Sequence, residues 1–184
     1  MKNPEFRMYV GPMFGGKTTR MLGAAERYHY QQKNVLYFKP DIDGRYEKET
    51  PSIVTHNQHK VEAIKIKTGL DIIKHCLTTT NDSIIAVDEA FMIDGSGDAL
   101  IRLFRQGYTI LVSSLQLSSD GSAYREIEKM MPYATHIAVC PAVDIESGHD
   151  AYYTEKFGGR TDHGIEVGGA EMYRPRDWNG FFGK

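Results

Sequence analysis

The chain has 184 residues, 41% of them hydrophobic and 25% charged, with a formal net charge of −2. That is enough chain for one globular domain with a real core and a small appendage, and the charge balance excludes a general electrostatic attraction to nucleic acid or anionic membrane. Any phosphate binding must therefore come from a local site. Cys76 and Cys140 are the only cysteines, which excludes a disulfide-dense secreted scaffold and fits a reducing cytoplasm. Pro4 and Glu5 stand where a signal peptide would carry its apolar run, and no stretch approaches the roughly 20 apolar residues that span a bilayer. The expectation is a soluble cytoplasmic protein.

In chain order, residues 6–10 read as a short buried strand and residues 17–33 as a helix with Met21, Leu22, Ala25 and Tyr28 on one face. Residues 34–38 (NVLYF) form a second strand, stopped by Pro40. Residues 41–60, rich in turn formers and charges, read as a polar loop or flap. A helix over 70–77, a third strand over 83–87 (SIIAV), a helix over 100–106 ended by Gly107, and a fourth strand over 109–112 follow. Residues 126–131 read as helix and 136–139 as a fifth strand. Continuous apolar strands separated by helices predict an α/β fold, a mostly parallel sheet covered on both faces. From about Cys140 the composition shifts to Gly, Tyr, Asp and Glu. The expected division is therefore an α/β core over 1–140 and a small lobe over 141–184.

Residues 11–18 read Gly11, Pro12, Met13, Phe14, Gly15, Gly16, Lys17, Thr18, the pattern Gly-x-x-x-x-Gly-Lys-Ser/Thr. The chain must wrap around phosphates with backbone N–H groups pointing inward, and Gly11 and Gly16 permit that path. The helix that begins near Lys17 offers free N–H groups and a positive dipole end to an anion. Lys17 supplies a point charge to the β- and γ-phosphates of a triphosphate, and the Thr18 hydroxyl can ligate Mg²⁺. A chance match in a Gly-rich turn is the competing reading. The apolar strand before the loop and the amphipathic helix after it argue against that.

A phosphate loop needs an acidic element to hold Mg²⁺, and Asp88 and Glu89 follow SIIAV directly. A carboxylate at the end of a buried strand beside the first strand fits that role. Two adjacent acids can divide the work, with Asp88 in the Mg²⁺ shell and Glu89 accepting a proton from an attacking hydroxyl or water. The bland alternative for Glu89 is a solvated residue that starts a loop.

The blocks YVGPMFGGKTTRML, FKPDIDGRY, VTHN and IIAVDEAF together resemble the thymidine kinase family of the human cytosolic, bacterial and large-virus type. Leu115, AYYT at 151–154 and IEVGGAEMY at 165–173 extend the likeness in the family's order from residue 9 to residue 173. The resemblance implies a P-loop core plus a small lobe whose lasso closes over a nucleoside, and transfer of the ATP γ-phosphoryl to the 5′-hydroxyl of thymidine. By this likeness Glu89 is the catalytic base, and Asp43 and Arg45 lie near the phosphates and the metal's water. Met13, Leu115 and Thr154 line the base pocket, where Met92 keeps an apolar side chain. Tyr173, with the backbone around Val167 and Gly168, holds the nucleoside. Taken singly, Met13 and Leu115 read equally as core. The likeness also implies a homotetramer.

The sequence departs from the family in three places. Where the family reads D-E-A/G-Q-F, this chain has Phe91 and Met92, and Ser119 stands where an aromatic follows Leu115; restoring Tyr124 there needs a gap. The family's lobe holds one zinc through two Cys-x-x-Cys or Cys-x-x-His pairs. At those positions this chain has Cys140, Val143, Asp177 and Gly180, and the spacing of His149 and His163 matches no regular site. A zinc-free lobe held by Tyr, Phe and Trp178 packing is expected. Two readings from other classes stand beside the kinase: a module that senses triphosphate without phosphorylating nucleosides, and a P-loop ATPase acting on another partner.

Overall fold

The computed structural model describes residues 3–42, 51–54, 60–158 and 168–183. In chain order the first half runs β1 (Phe6–Val10), α1 (Lys17–Tyr30), β2 (Val35–Pro40), β3 (Ser52–Val54), β4 (Lys60–Glu62), β5 (Ile64–Ile66), α2 (Gly69–Cys76) and β6 (Ile84–Val87). It continues with α3 (Ser96–Arg105), β7 (Thr109–Ser114), α4 (Arg125–Met130), β8 (His136–Val139), β9 (Ala142–Val143), β10 (Asp150–Ala151), β11 (Tyr153–Lys156), β12 (Tyr173–Arg176) and α5 (Trp178–Phe182). Six strands form one sheet in the order β5-β2-β6-β7-β1-β8, every neighbouring pair parallel.

The strands alternate between two apolar layers, as a pleat with period two requires. Phe6, Met8, Val10, Ile85, Val87, Ile110 and Val112 face one layer, closed by Ile72 of α2, Leu100 and Leu103 of α3 and Ile127 of α4. Tyr9, Ile84, Ala86 and Leu111 face the other, closed by Met21, Leu22, Ala25 and Tyr28 of α1. This is the α/β architecture of the P-loop type that the sequence predicts.

Four local expectations need correction. The helix expected over 17–33 ends at Tyr30, because Gln32 takes a left-handed backbone (φ 59°) that leaves the helix. The helix expected from residue 100 begins at Ser96, just after Gly95 turns the chain with φ 70°. The expected polar loop contains an antiparallel pair, β3 with β4, and Ile53 of that pair is buried in the α1-side layer. A sixth sheet strand, β5, pairs with the far end of β2 through Pro40. Three residues are too few for an alternation to be read. Among the described residues, no helix is long and apolar enough to cross a membrane.

Candidate functional site

A parallel sheet carries the C-terminal ends of all its strands on one edge, so the segments that follow them converge. Here Gly11 follows β1, Asp88 follows β6, Leu115 follows β7 and Cys140 follows β8. The phosphate loop lies against the last of these. A Cβ on Gly11 or on Gly15 would overlap the Cys140 carbonyl oxygen, so both positions must be glycine for the loop to pack there. Phe14 (φ 65°) and Gly16 (φ 70°) sit in the left-handed region and close the turn into α1. Lys17 is 6% exposed, and its Nζ donates to the Pro12 carbonyl at 2.7 Å, which draws the loop into a ring.

The Thr18 hydroxyl donates to Asp88 Oδ1 at 2.9 Å and lies 3.4 Å from Ser113 Oγ. The strand carrying Asp88 is not beside the first strand, contrary to the sequence reading: β7 stands between β6 and β1. The hydroxyl still reaches Asp88, because Ser113 of the intervening strand is small. Glu89 has a left-handed backbone (φ 49°, ψ 45°), an uncommon and strained conformation for a residue with a side chain. It turns the chain out of β6 into the short turn Ala90–Met92, which is pinned where the Phe91 N–H donates to Ser114 Oγ at 3.2 Å. Ser113 and Ser114 were not singled out in the sequence. Two small hydroxyl residues ending an apolar strand were the available signal.

On the other side of the loop, the Met13 N–H donates to Thr154 Oγ1 at 3.0 Å, joining the phosphate loop to β11. Met13, Met92 and Tyr124 pack on the layer that contains Leu115 and Phe91. The Tyr124 ring lies 4.4 Å from that of Phe91. Burial pushes the Tyr124 phenol up to about 12, and the nearby Tyr173, Glu89 and Asp120 add to the shift. Gly168 lies against Tyr173, and a Cβ on Gly168 would be 3.2 Å from that ring. Asp43, Arg45, His163 and Val167 lie outside the described residues.

Of the positions where the family resemblance places zinc ligands, Cys140 is buried in the α1-side layer and its Sγ points to the Ala138 carbonyl at 3.5 Å. Burial pushes its thiol up. Val143 is 56% exposed, and Trp178, expected in the packing, is 61% exposed. Its ring still lies 6.1 Å from that of Phe182, and Tyr153 packs on Phe181 and Phe182 at ring separations of 5.1 and 4.9 Å.

The parallel sheet, the glycine-built loop at the tip of β1 and the Thr18–Asp88 pair define an α/β protein of the P-loop type. The family model described as Thymidine kinase matches residues 5–177, and the chain belongs to the thymidine kinase family. It is a nucleoside kinase, with a nucleoside and ATP as its substrates.

Proposed function

We propose that the chain transfers the γ-phosphoryl of ATP to the 5′-hydroxyl of thymidine or deoxyuridine, with Glu89 as general base. The observation that carries this reading is the 2.9 Å hydrogen bond from Thr18 to Asp88, with Glu89 next in the chain at the same sheet edge. The loop amides of residues 11–16 and the Lys17 ammonium cradle the triphosphate, and Lys17 exchanges its contact with the Pro12 carbonyl for phosphate oxygens. Asp43 and Arg45 act near the same phosphates. Thr18 and Asp88 offer hard oxygen donors, the chemistry Mg²⁺ requires, and are the residues that would hold it, partly through water. That ion, when bound, neutralises charge on the β- and γ-phosphates. Glu89 takes the proton of the 5′-hydroxyl as the oxygen attacks phosphorus, and the rest of the catalysis is positioning and charge stabilisation.

Met13, Met92, Leu115 and Thr154 form the base side of the pocket, and Val167, Gly168 and Tyr173 form a lasso over the nucleoside. Residues 141–184 are read as the small lobe that carries it. Exposed Ile137, Val139, Val143 and Ile145 support assembly into a homotetramer. The net charge of −2 supports small-molecule rather than nucleic-acid or membrane partners, and two buried free cysteines fit the cytoplasm. Release of ADP from ATP, measured with and without nucleoside, tests the reaction. Release that requires thymidine is the expected result; equal release without any nucleoside would make the chain an ATPase, and ATP binding without release would make it a sensing module.

A further inference from the structure

The antiparallel pair β11–β12 has two unlike faces. Thr154 pairs with Pro175 and Lys156 with Tyr173, so these four residues share one face, and Thr154 on that face bonds to the phosphate loop. Glu155 pairs with Arg174 and Tyr153 with Arg176, so Glu155, Arg174 and Arg176 share the opposite face. Behind it lies a buried cation. Arg176 is 8% exposed, and its Nε lies 3.4 Å from Asp144 Oδ2 and 3.7 Å from Glu155 Oε2, while a terminal nitrogen pairs with Glu146. Arg174 pairs with Glu146 as well, and its Nε is 2.6 Å from Glu155.

The cluster ties together segments distant in sequence. Asp144, 1% exposed, accepts from the Asp177 N–H at 3.0 Å and from the Glu146 N–H at 2.9 Å. Both oxygens of Asp177 are engaged: Oδ1 accepts from the Gly180 N–H at 2.7 Å and Oδ2 from the Ser147 hydroxyl at 2.8 Å. A Cβ on Gly180 would stand 2.7 Å from Arg176 Cζ and closer still to its nitrogens. Gly180 leaves the room that the guanidinium fills. Two of the four positions aligned with zinc ligands, Asp177 and Gly180, thus serve the arginine cluster, while Cys140 and Val143 point elsewhere. Among the described residues, no three His, Cys, Asp or Glu side chains gather into a metal-binding group. The described residues at these positions do not fit zinc.

We propose that the Arg176 guanidinium is the central cation of this segment in place of a metal ion, and that it is a positioning residue that holds β11–β12 so that Thr154 and Tyr173 face the nucleoside. A guanidinium suits the place because its planar fork addresses several carboxylates at once, which an ammonium cannot do.

The full-length chain tests this with Arg176→Met, Arg176→Lys, Gly180→Ala and the double variant Arg176→Met with Gly180→Ala. Three quantities are read: bound zinc by elemental analysis, amide hydrogen exchange, and KM for thymidine against KM for ATP. Only the KM comparison rests on the proposed reaction, so the metal and exchange results stand whatever the substrate proves to be. The purified chain should hold far less than one zinc, and pretreatment with EDTA, followed by removal of the chelator and restoration of Mg²⁺ before the measurements, should change neither exchange nor KM. Arg176→Met should speed exchange across residues 144–156 and 173–180 and raise the thymidine KM about tenfold, the scale of one lost well-placed contact, with the ATP KM nearly unchanged. Arg176→Lys should recover only part of this. Gly180→Ala should speed exchange in the wild-type background and add nothing to Arg176→Met, because the two act through one guanidinium. If the Arg176 variants fail to fold, Gly180→Ala and the EDTA comparison still decide. One zinc per chain whose removal speeds exchange would overturn the proposal. So would unchanged exchange and thymidine KM in Arg176→Met, or in Gly180→Ala where that is the variant that folds.

Discussion

The hydrogen bond from Met13 to Thr154 joins the phosphate loop to the β11–β12 pair, yet the two are built on opposite plans. The loop is contiguous in sequence, and its shape comes from backbone geometry: glycines pressed on the Cys140 carbonyl and a lysine turned back on Pro12. It stands on β1, with β7 beside it, strands whose side chains are almost all buried. The β11–β12 pair has little apolar burial of its own, and charges brought from residues 144, 146, 155, 174 and 176 hold it. A site assembled this way has a rigid half for the part of the substrate every triphosphate shares and a separately tunable half for the part that differs. The two halves should therefore fail differently.

The largest effect should come from Lys17→Ala. It removes the loop's point charge, so turnover should fall to background and calorimetric ATP binding should be lost, while the circular dichroism spectrum stays that of the wild type. Unchanged affinity and turnover would show that residues 11–18 are not the nucleotide site. Next, Glu89→Gln should lower kcat by about 10² to 10⁴, the usual contribution of a general base, with ATP still bound. A variant that kept most of its kcat would remove Glu89 from the chemistry.

Thr154→Val probes the junction itself. It leaves the Met13 N–H without its acceptor, a loss of about 1–3 kcal/mol when such a group is buried. The nucleoside KM should rise roughly tenfold and the ATP KM less, and Thr154→Ser, which keeps the oxygen, should restore both. Equal changes in the two KM values would mean that the bond shapes the loop rather than the nucleoside side.

The smallest effect is that of pH. Burial pushes the Asp144 carboxyl up, but the backbone N–H groups of Asp177 and Glu146 and the Arg176 charge outweigh it and hold it below the usual carboxylate range. Asp177 is also held low, first by the Gly180 N–H and then by the Ser147 hydroxyl. A depressed folded-state pKa stabilises the fold fully above the unfolded value and ceases to do so as pH falls through the folded one. Hydrogen exchange over 144–156, corrected for intrinsic rate, should therefore match at pH 7 and pH 5 and quicken only below about pH 4. Loosening already between pH 7 and pH 5 would contradict a carboxylate-held segment.

The same contrast explains what could be read from the sequence. The buried strands, the loop at 11–18 and the acids at 88 and 89 are local patterns, and each is a short run with a fixed chemical reason. The placement of β7 between β1 and β6 is a matter of strand order, which chain order does not specify. Ser113 and Ser114 matter because of that placement, and the sequence marks them only as two small hydroxyl residues ending an apolar strand. The arginine cluster eluded the sequence for a related reason: its charge pairs lie about twenty to thirty residues apart, as Glu155 and Arg174 or Asp144 and Arg176 do, and an exposed pair of Arg and Glu reads the same way in one dimension. Tyr124 was noticed only as a gapped match, and its contact with Phe91 depends on α4 packing over the Ala90–Met92 turn.

The most direct test of the central claim is a mixture of nucleosides incubated with ATP and the full chain, with the products read by mass spectrometry. The account predicts thymidine or deoxyuridine monophosphate appearing in step with ADP, and none from Glu89→Gln on the same timescale. ADP accumulating with no nucleoside monophosphate of any kind would contradict it.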